Sequence, residues 1–507
     1  MSDELVAGFL RKACMDWCVG GSQRAMWTQD AGRILDRHPE LARANVHTAV
    51  ACGELEEVRR ILDERSGAMN EIGGPRSWPP LLYLCAARLP QPGSSENAVA
   101  IARILLDRGA DPNAFYLGGN ADIHYTAFTC VMGRGEELAV MHPRARELVA
   151  LLLERGADPY DNQVLYNVFA DNTSRHLLDD DMVWLLELMY EHSVLRGHRA
   201  DWADPLWRML DMRGAPSLGD EDRVHHGARF MLDAAVDRNL LGMAEWLLRH
   251  GADPNAPPGR LWKGSTRTLY QEAVARGHDE MAALLVRYGA IPLLSKVEGY
   301  EELVDACIRG DRAKIIAMAE RHPEYLADSR AMHAALKRDR VEVVELLLDH
   351  GVSPGIADPH GGASALHVAA SANALRSAEL LLERGAEVDA RDHAYDSPPL
   401  GWAAYYQHVR MVELLGARSR DVWYLTYTGR VERLREVLAE QPELARMVGR
   451  EGDTPLMWLP GDAASALDIA TLLLERGADA ALLNAKGESA SVIAERRGLY
   501  DVAALLR

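Results

Sequence analysis

Apolar positions along this chain recur at i, i+3, i+4 and i+7 in short bursts, the spacing of one face of an amphipathic helix. Ile101-Ala-Arg-Ile-Leu-Leu106 and Leu148-Val-Ala-Leu-Leu-Leu153 are two such bursts. Each ends in the same way, on Gly, then Ala, then an acidic or Pro position. The endings are Gly109-Ala-Asp-Pro-Asn113, Gly156-Ala-Asp-Pro159 and Gly251-Ala-Asp-Pro-Asn255. Looser copies stand at Gly289-Ala-Ile-Pro292, Gly351-Val-Ser-Pro354, Gly385-Ala-Glu-Val388 and Gly477-Ala-Asp-Ala480. The pattern predicts a core-facing helix, a Gly in the left-handed conformation that stops it, and a turn set by Asp, Pro and Asn.

A shorter helical signal precedes several of these bursts. Its best copy is Ala365-Leu-His-Val-Ala-Ala370, and worn copies are Asp453-Thr-Pro-Leu-Met457, Pro398-Pro-Leu-Gly-Trp-Ala403, Val46-His-Thr-Ala49 and Met332-His-Ala-Ala335. The combination resembles the ankyrin repeat, a unit of about 33 residues made of two antiparallel helices and a β-turn. The resemblance implies an all-α solenoid of helix–turn–helix units. It also implies that His47, His333 and His367 tie neighbouring turns by hydrogen bonds rather than act as ligands or bases.

Spacing maps the units. Gly351 to Gly385 is 34 residues, Gly289 to Gly351 is 62, and Gly385 to Gly477 is 92. The unmarked repeats are Leu303–Asp311 with Ile315–Glu320, and Val422–Arg430 with Val431–Leu438. They end in His322-Pro-Glu and Gln441-Pro-Glu, as an N-terminal unit does in His38-Pro-Glu. Earlier the rhythm breaks: Gly109 to Gly156 is 47 residues, Gly156 to Gly251 is 95, and Pro-, Gly- and Ser-rich residues intrude at 89–97. The expectation is one continuous solenoid of roughly 14 units, elaborated by inserted loops over 1–264 and regular over 265–507. A bulky residue at Gly385 is expected to disrupt one inter-repeat interface and leave distant repeats partly folded.

Composition narrows the function. The chain has 507 residues, 48% of them hydrophobic, and 56 Lys and Arg against 75 Asp and Glu give a net charge of −19. Such a balance argues against nucleic acid or anionic membrane as partner, both of which need a positive field. No apolar run is long enough to span a bilayer, and the N-terminus lacks a signal-peptide core. Six scattered cysteines suit a reducing, cytoplasmic compartment. No P-loop, HExxH, G-x-S-x-G or paired CxxC motif is present, and Gly259-Arg-Leu-Trp-Lys-Gly-Ser-Thr266 has the wrong spacing for a phosphate loop. Cys14 and Cys18 alone do not fill a tetrahedral zinc site. The expectation is therefore no metal, no cofactor and no nameable catalytic residue.

Aromatic residues gather in the elaborated half. All five Phe fall within the first 230 residues and eight of eleven Trp within the first 262. Rings interleaved with polar groups supply apolar area and a polar handle, as binding surfaces require. The binding candidates are Trp78, Tyr83, Tyr116, His124, Tyr125, Tyr160, Asp161, Tyr166, Trp207, His225, Arg229 and Trp262. Packing of the inserted loops as satellite cores accounts for single rings equally well. In the regular half, Tyr395, Tyr405, Tyr406, Trp423, Tyr424 and Tyr427 extend a groove across the last repeats, although helix packing explains Trp402 and Tyr405 as well. The leading reading is a protein-interaction adaptor, as the resemblance implies. The alternative is a small-molecule pocket or enzyme site built from the loops of the first half; convergence of those polar groups in a closed pocket would favour it.

Overall fold

The computed structural model describes residues 2–15, 24–118, 124–133, 140–159, 161–170, 179–196, 231–256, 267–292 and 299–507. The chain is mostly helical and divides into two compact units. One holds residues 1–274 and 278–295; the other holds 275–277 and 296–507. Among the described residues no helix is long and apolar enough to cross a membrane.

Both units are built from antiparallel helix pairs. In the second unit Tyr300–Arg309 pairs with Arg312–Arg321, Ser329–Leu336 with Val341–Asp349, and Ala365–Ala372 with Leu375–Glu383. Pro399–Tyr405 follows with Val409–Gly416, then Val422–Tyr427 with Val431–Glu440, and Ala490–Arg496 with Tyr500–Leu505. Some of these helices start where a short polar side chain satisfies an orphan N–H group, as Asp311, Asp328, Ser364, Asp421 and Ser489 do. Ser364 and His367 form a reciprocal capping box, as do Asn45 and Thr48 at Val46–Cys52. Several second helices stop just before a marker glycine, and the φ of these glycines runs from 84° at Gly477 to 105° at Gly156. Gly385 meets no atom within 4 Å of an added Cβ. A side chain there is penalised by its φ of 90°, not by a crowded interface as expected.

The Asn of the Gly-Ala-Asp-Pro-Asn turn links units. Asn113 donates to Gly156 O at 3.1 Å and accepts from the Asp158 N–H at 2.7 Å. Asn255 repeats this with Gly289 O and the Ile291 N–H. Each unit therefore satisfies turn groups of the next, and side chains such as Leu347, Leu381 and Leu434 are fully covered by their neighbours.

Two of the three family histidines behave as expected. His47 Nε2 lies 2.8 Å from Glu71 O, and His367 Nε2 lies 2.9 Å from Ser397 O. His333 does not, because its buried Nε2 has no partner among the described residues, and burial draws its pKa down to about 4.

In the first unit the helix pair Pro80–Ala86 and Ala98–Asp107 is joined by residues 87–97, which fold back on the preceding repeat. Ser94 Oγ donates to Ala51 O at 2.8 Å, and Asn97 Nδ2 to Gly53 O at 2.9 Å. Arg88 in this link is buried and closes the C-terminal ends of two helices. Its guanidinium donates to Cys85 O, Ala87 O, Cys130 O, Val131 O and Val140 O at 2.7–3.3 Å. These bonds, with Cys14 Sγ to Tyr83 O, Ala87 N to Leu84 O and Met15 N to Ala86 O, satisfy the last four carbonyls of Pro80–Ala86. Burial draws the Arg88 pKa down to about 10, so it remains a cation at neutral pH.

Candidate functional site

The first unit carries a projecting arm. Strand β1 (Phe115–Leu117) pairs antiparallel with β2 (His124–Thr126), placing Tyr116 opposite Tyr125 and Leu117 opposite His124. Alternation sends Tyr116 and Tyr125 inward and Phe115, Leu117 and His124 outward. The inward rings continue a ladder: Tyr125 stacks on Tyr116 at 5.2 Å, Tyr116 on Trp78 at 4.4 Å, and Trp78 meets Tyr83 at 5.3 Å. Tyr83 ends the ladder against His47 and donates its hydroxyl to Gly73 O. Arg76 lies over the Trp78 ring at 5.0 Å while donating to Leu10 O and Arg11 O, which tethers this loop to the first helix.

Trp78, Tyr83, Tyr116 and Tyr125 are thus buried, 0–9% exposed, and support the arm from beneath rather than forming its surface. His124 is exposed and stacks on Phe115 at 4.1 Å. Asp161 is buried as the cap of Asn162–Ala170, accepting from the Val164 N–H and from the Thr126 and Thr129 hydroxyls. Burial raises its pKa to about 6 against those bonds. It does not converge with His124. The backbone of Tyr166 lies on the same helix, while Tyr160, Trp207, His225, Arg229 and Trp262 lie outside the described residues. Cys14, Cys52, Cys85, Cys130 and Cys307 are buried thiols without disulfides. Burial pushes Cys14, Cys85 and Cys307 up to about 12, so they are poor nucleophiles.

The second unit carries a more coherent surface. Trp402 and Tyr424 each stand five residues before a positive-φ corner, Gln407 or Gly429. Trp402 and Trp458 each stand three residues after the Pro that opens their helical turn, Pro399 or Pro455. The three rings therefore occupy one repeat position in three successive units, and all are half-buried. Trp458 is a hub, with Trp423, Tyr424 and Tyr427 edge-on to it at 5.4, 5.9 and 6.2 Å. The stripe is anchored from below. Trp402 Nε1 donates to Asp392 at 2.9 Å, and Ser397 Oγ bonds the Tyr424 hydroxyl at 3.1 Å. Gly401 leaves Tyr424 its place, since a Cβ there would stand 2.5 Å from the ring.

Hairpin turns frame this stripe in two pairs. The 358–363 and 391–397 turns are joined by His393 N–H to Gly361 O at 2.8 Å, and the 449–453 and 484–488 turns by Ala485 N–H to Glu451 O at 2.7 Å. Between the pairs, residues 417–421 make no such turn, so Trp423 and Tyr424 lie in a gap, and a Cβ added at Gly449 would stand 3.6 Å from the Trp423 ring. At the gap, Arg391 is paired with the carboxylate of Asp421. Burial pushes Asp421 up despite that partner and the Tyr424 N–H. Burial also pushes Asp392 up, but the Tyr395 N–H and Trp402 indole outweigh it and hold the carboxyl below its usual range. Among the described residues the indole N–H groups of Trp423 and Trp458 have no protein acceptor.

Trp458 was not among the residues singled out from sequence. Its signal is present, as Pro399-Leu-Gly-Trp402 and Pro455-Leu-Met-Trp458 share a Pro-Leu-x-Trp spacing. Tyr424 occupies the same place without that Pro, so only the stacked structure brings the three together.

Stacked helix pairs with hairpin turns define a helical repeat protein. The chain carries ankyrin repeats: the family model described as ankyrin repeats, three copies, matches residues 320–392. No curated protein matches the chain. Among solved structures, an ankyrin repeat domain from Acinetobacter baumannii is 26% identical, with 35% of this chain and 97% of that chain covered and a TM-score of 0.27. A chain from a Bdellovibrio bacteriovorus predatory endopeptidase in complex with an immunity protein is 22% identical, with 40% and 96% covered and a TM-score of 0.27.

Proposed function

We propose that this chain is a protein-interaction scaffold of about 14 ankyrin units, the first half carrying the longer connections. Its main recognition surface is the aromatic stripe of the second unit. The observation that carries this reading is the alignment of Trp402, Tyr424 and Trp458 at one repeat position, half-buried and framed by paired turns. A packed core would cover such rings fully, whereas a docking surface keeps large, rigid, amphipathic faces open to a partner. The buried free thiols suit a reducing compartment such as the cytoplasm. The exposed Phe115 and Leu117 of the arm, 47% and 52% exposed, supply a second contact point.

Affinity capture from the native host tests the reading, with wild type run beside Trp458→Ala and Phe115→Ala. A specific protein retained by wild type and lost with Trp458→Ala is expected. Retention that is indifferent to Trp458 would remove the stripe from the function. The buried positions of Trp78 and Tyr125 make them poor probes, because their loss damages the scaffold.

A further inference from the structure

The borders of the stripe are acidic in net charge, although Arg418 and Arg420 stand in the gap and Lys486 in the last turn. Residues 387–397 carry Glu387, Asp389, Asp392 and Asp396 against Arg391 alone, and the next turn carries Glu451 and Asp453 against Arg450. Arg391 serves Asp421, the carbonyl of Asp396 and, at 3.7 Å, the Asp396 carboxylate as well, so one cation is shared by two carboxylates. Asp396 keeps its side chain 69% exposed beside Tyr395, itself 77% exposed. Half-buried π faces next to carboxylates not fully offset by cations favour a positive guest, by quadrupole attraction and by direct charge. The net charge of −19 draws the same guest from a distance. Between the turn pairs, the indole N–H groups of Trp423 and Trp458, without an acceptor among the described residues, suit backbone carbonyls, which an extended segment leaves unpaired.

We propose that the stripe centred on Tyr424 and Trp458, with its acidic turn rim, docks an extended segment of a partner protein through arginine or lysine side chains. The proposal deepens the scaffold reading and rests on it. Arginine is the better fit, since its planar guanidinium stacks on rings and still offers N–H donors to the rim carboxylates.

The test is selection of a random twelve-residue peptide library on the full chain, followed by fluorescence-polarisation titration of the selected peptides. Three variants accompany wild type: Trp458→Ala, Tyr395→Ala and Asp396→Asn. The last two alter exposed positions, and Asn suits the left-handed φ of 50° at Asp396. They therefore report on binding even if Trp458→Ala fails to fold. Enrichment of Arg or Lys is expected, with binding weakened roughly three- to fivefold by each exposed variant and by added salt. Peptides that need Tyr395 and Trp458 but show no basic enrichment would overturn the proposal and leave the scaffold reading standing. Peptides indifferent to all three variants, or no selection above a blank surface, would overturn both.

Discussion

Replacing Arg88 with Met tests how the first unit closes its helix ends. The change keeps a long apolar stem and removes every guanidinium donor. Buried carbonyls of Cys85, Ala87 and Cys130 each lose a bond of 2.7–2.9 Å, whereas Val131 O keeps the His142 N–H at 2.9 Å. Val140 is exposed, so its carbonyl can turn to water. The buried carbonyls of Cys85 and Ala87 are then orphaned, which costs roughly 1–3 kcal/mol each. Against this stands the relief of no longer burying a cation whose pKa has been drawn from 12.5 to about 10, worth about 3 kcal/mol. The expected net loss is about 1 kcal/mol, from the middle of that range. Repeat arrays unfold in blocks, so the assay is residue-resolved amide hydrogen exchange alongside urea unfolding. Protection should fall in 80–87 and 127–132 and stay unchanged in the second unit. Arg88→Lys should not rescue it, because three donors on one nitrogen cannot span two helix ends. An Arg88→Met protein as stable as wild type would show that cation desolvation outweighs the carbonyl bonds, refuting the reasoning.

Further predictions concern pH and packing. Asp161 has a folded pKa raised to about 6 from 3.8, so the native state holds the extra proton and stability falls as pH rises through that window. Asp161→Asn should abolish that slope, worth up to about 3 kcal/mol, in urea midpoints measured from pH 3.5 to 7.5; an unchanged slope would sink the assignment. His142 acts in the opposite direction, since burial, and then the Arg88 and Arg144 charges, draw its pKa down from 6.5 to about 3. Its contribution is complete above pH 6.5 and lost on acidification, and His142→Gln should blunt the acid limb of the same titration. Gly401→Ala presses a methyl group into Ser397 Oγ and the Tyr424 ring. It should cost about 1–3 kcal/mol and shift the near-ultraviolet signal of the stripe, and a silent substitution would refute the close approach.

The sequence by itself determined the units. Leucine periodicity, the Gly-Ala-Asp-Pro-Asn endings and the Pro-opened short helices are local instructions. Helix, left-handed stop and turn follow from each residue's own backbone preferences and apolar face. That is why Gly109, Gly156 and Gly385 stand where a helix must end. Only the tertiary structure decided which aromatic rings face outward. Trp78 and Tyr125 stand in segments that composition alone marks as surface loops, yet turn and strand pairing swing them inward to form a ladder with Tyr116 and the helical Tyr83. Asp161 looked like a pocket wall and is a helix cap, because its place one turn before Val164 matters more than its charge. Trp402, Tyr424 and Trp458 are separated along the chain by loops of unequal length, so no single period connects them. Stacking aligns them because each unit buries its apolar face only in register with the next, and that register sets which side chains remain half-open to a partner.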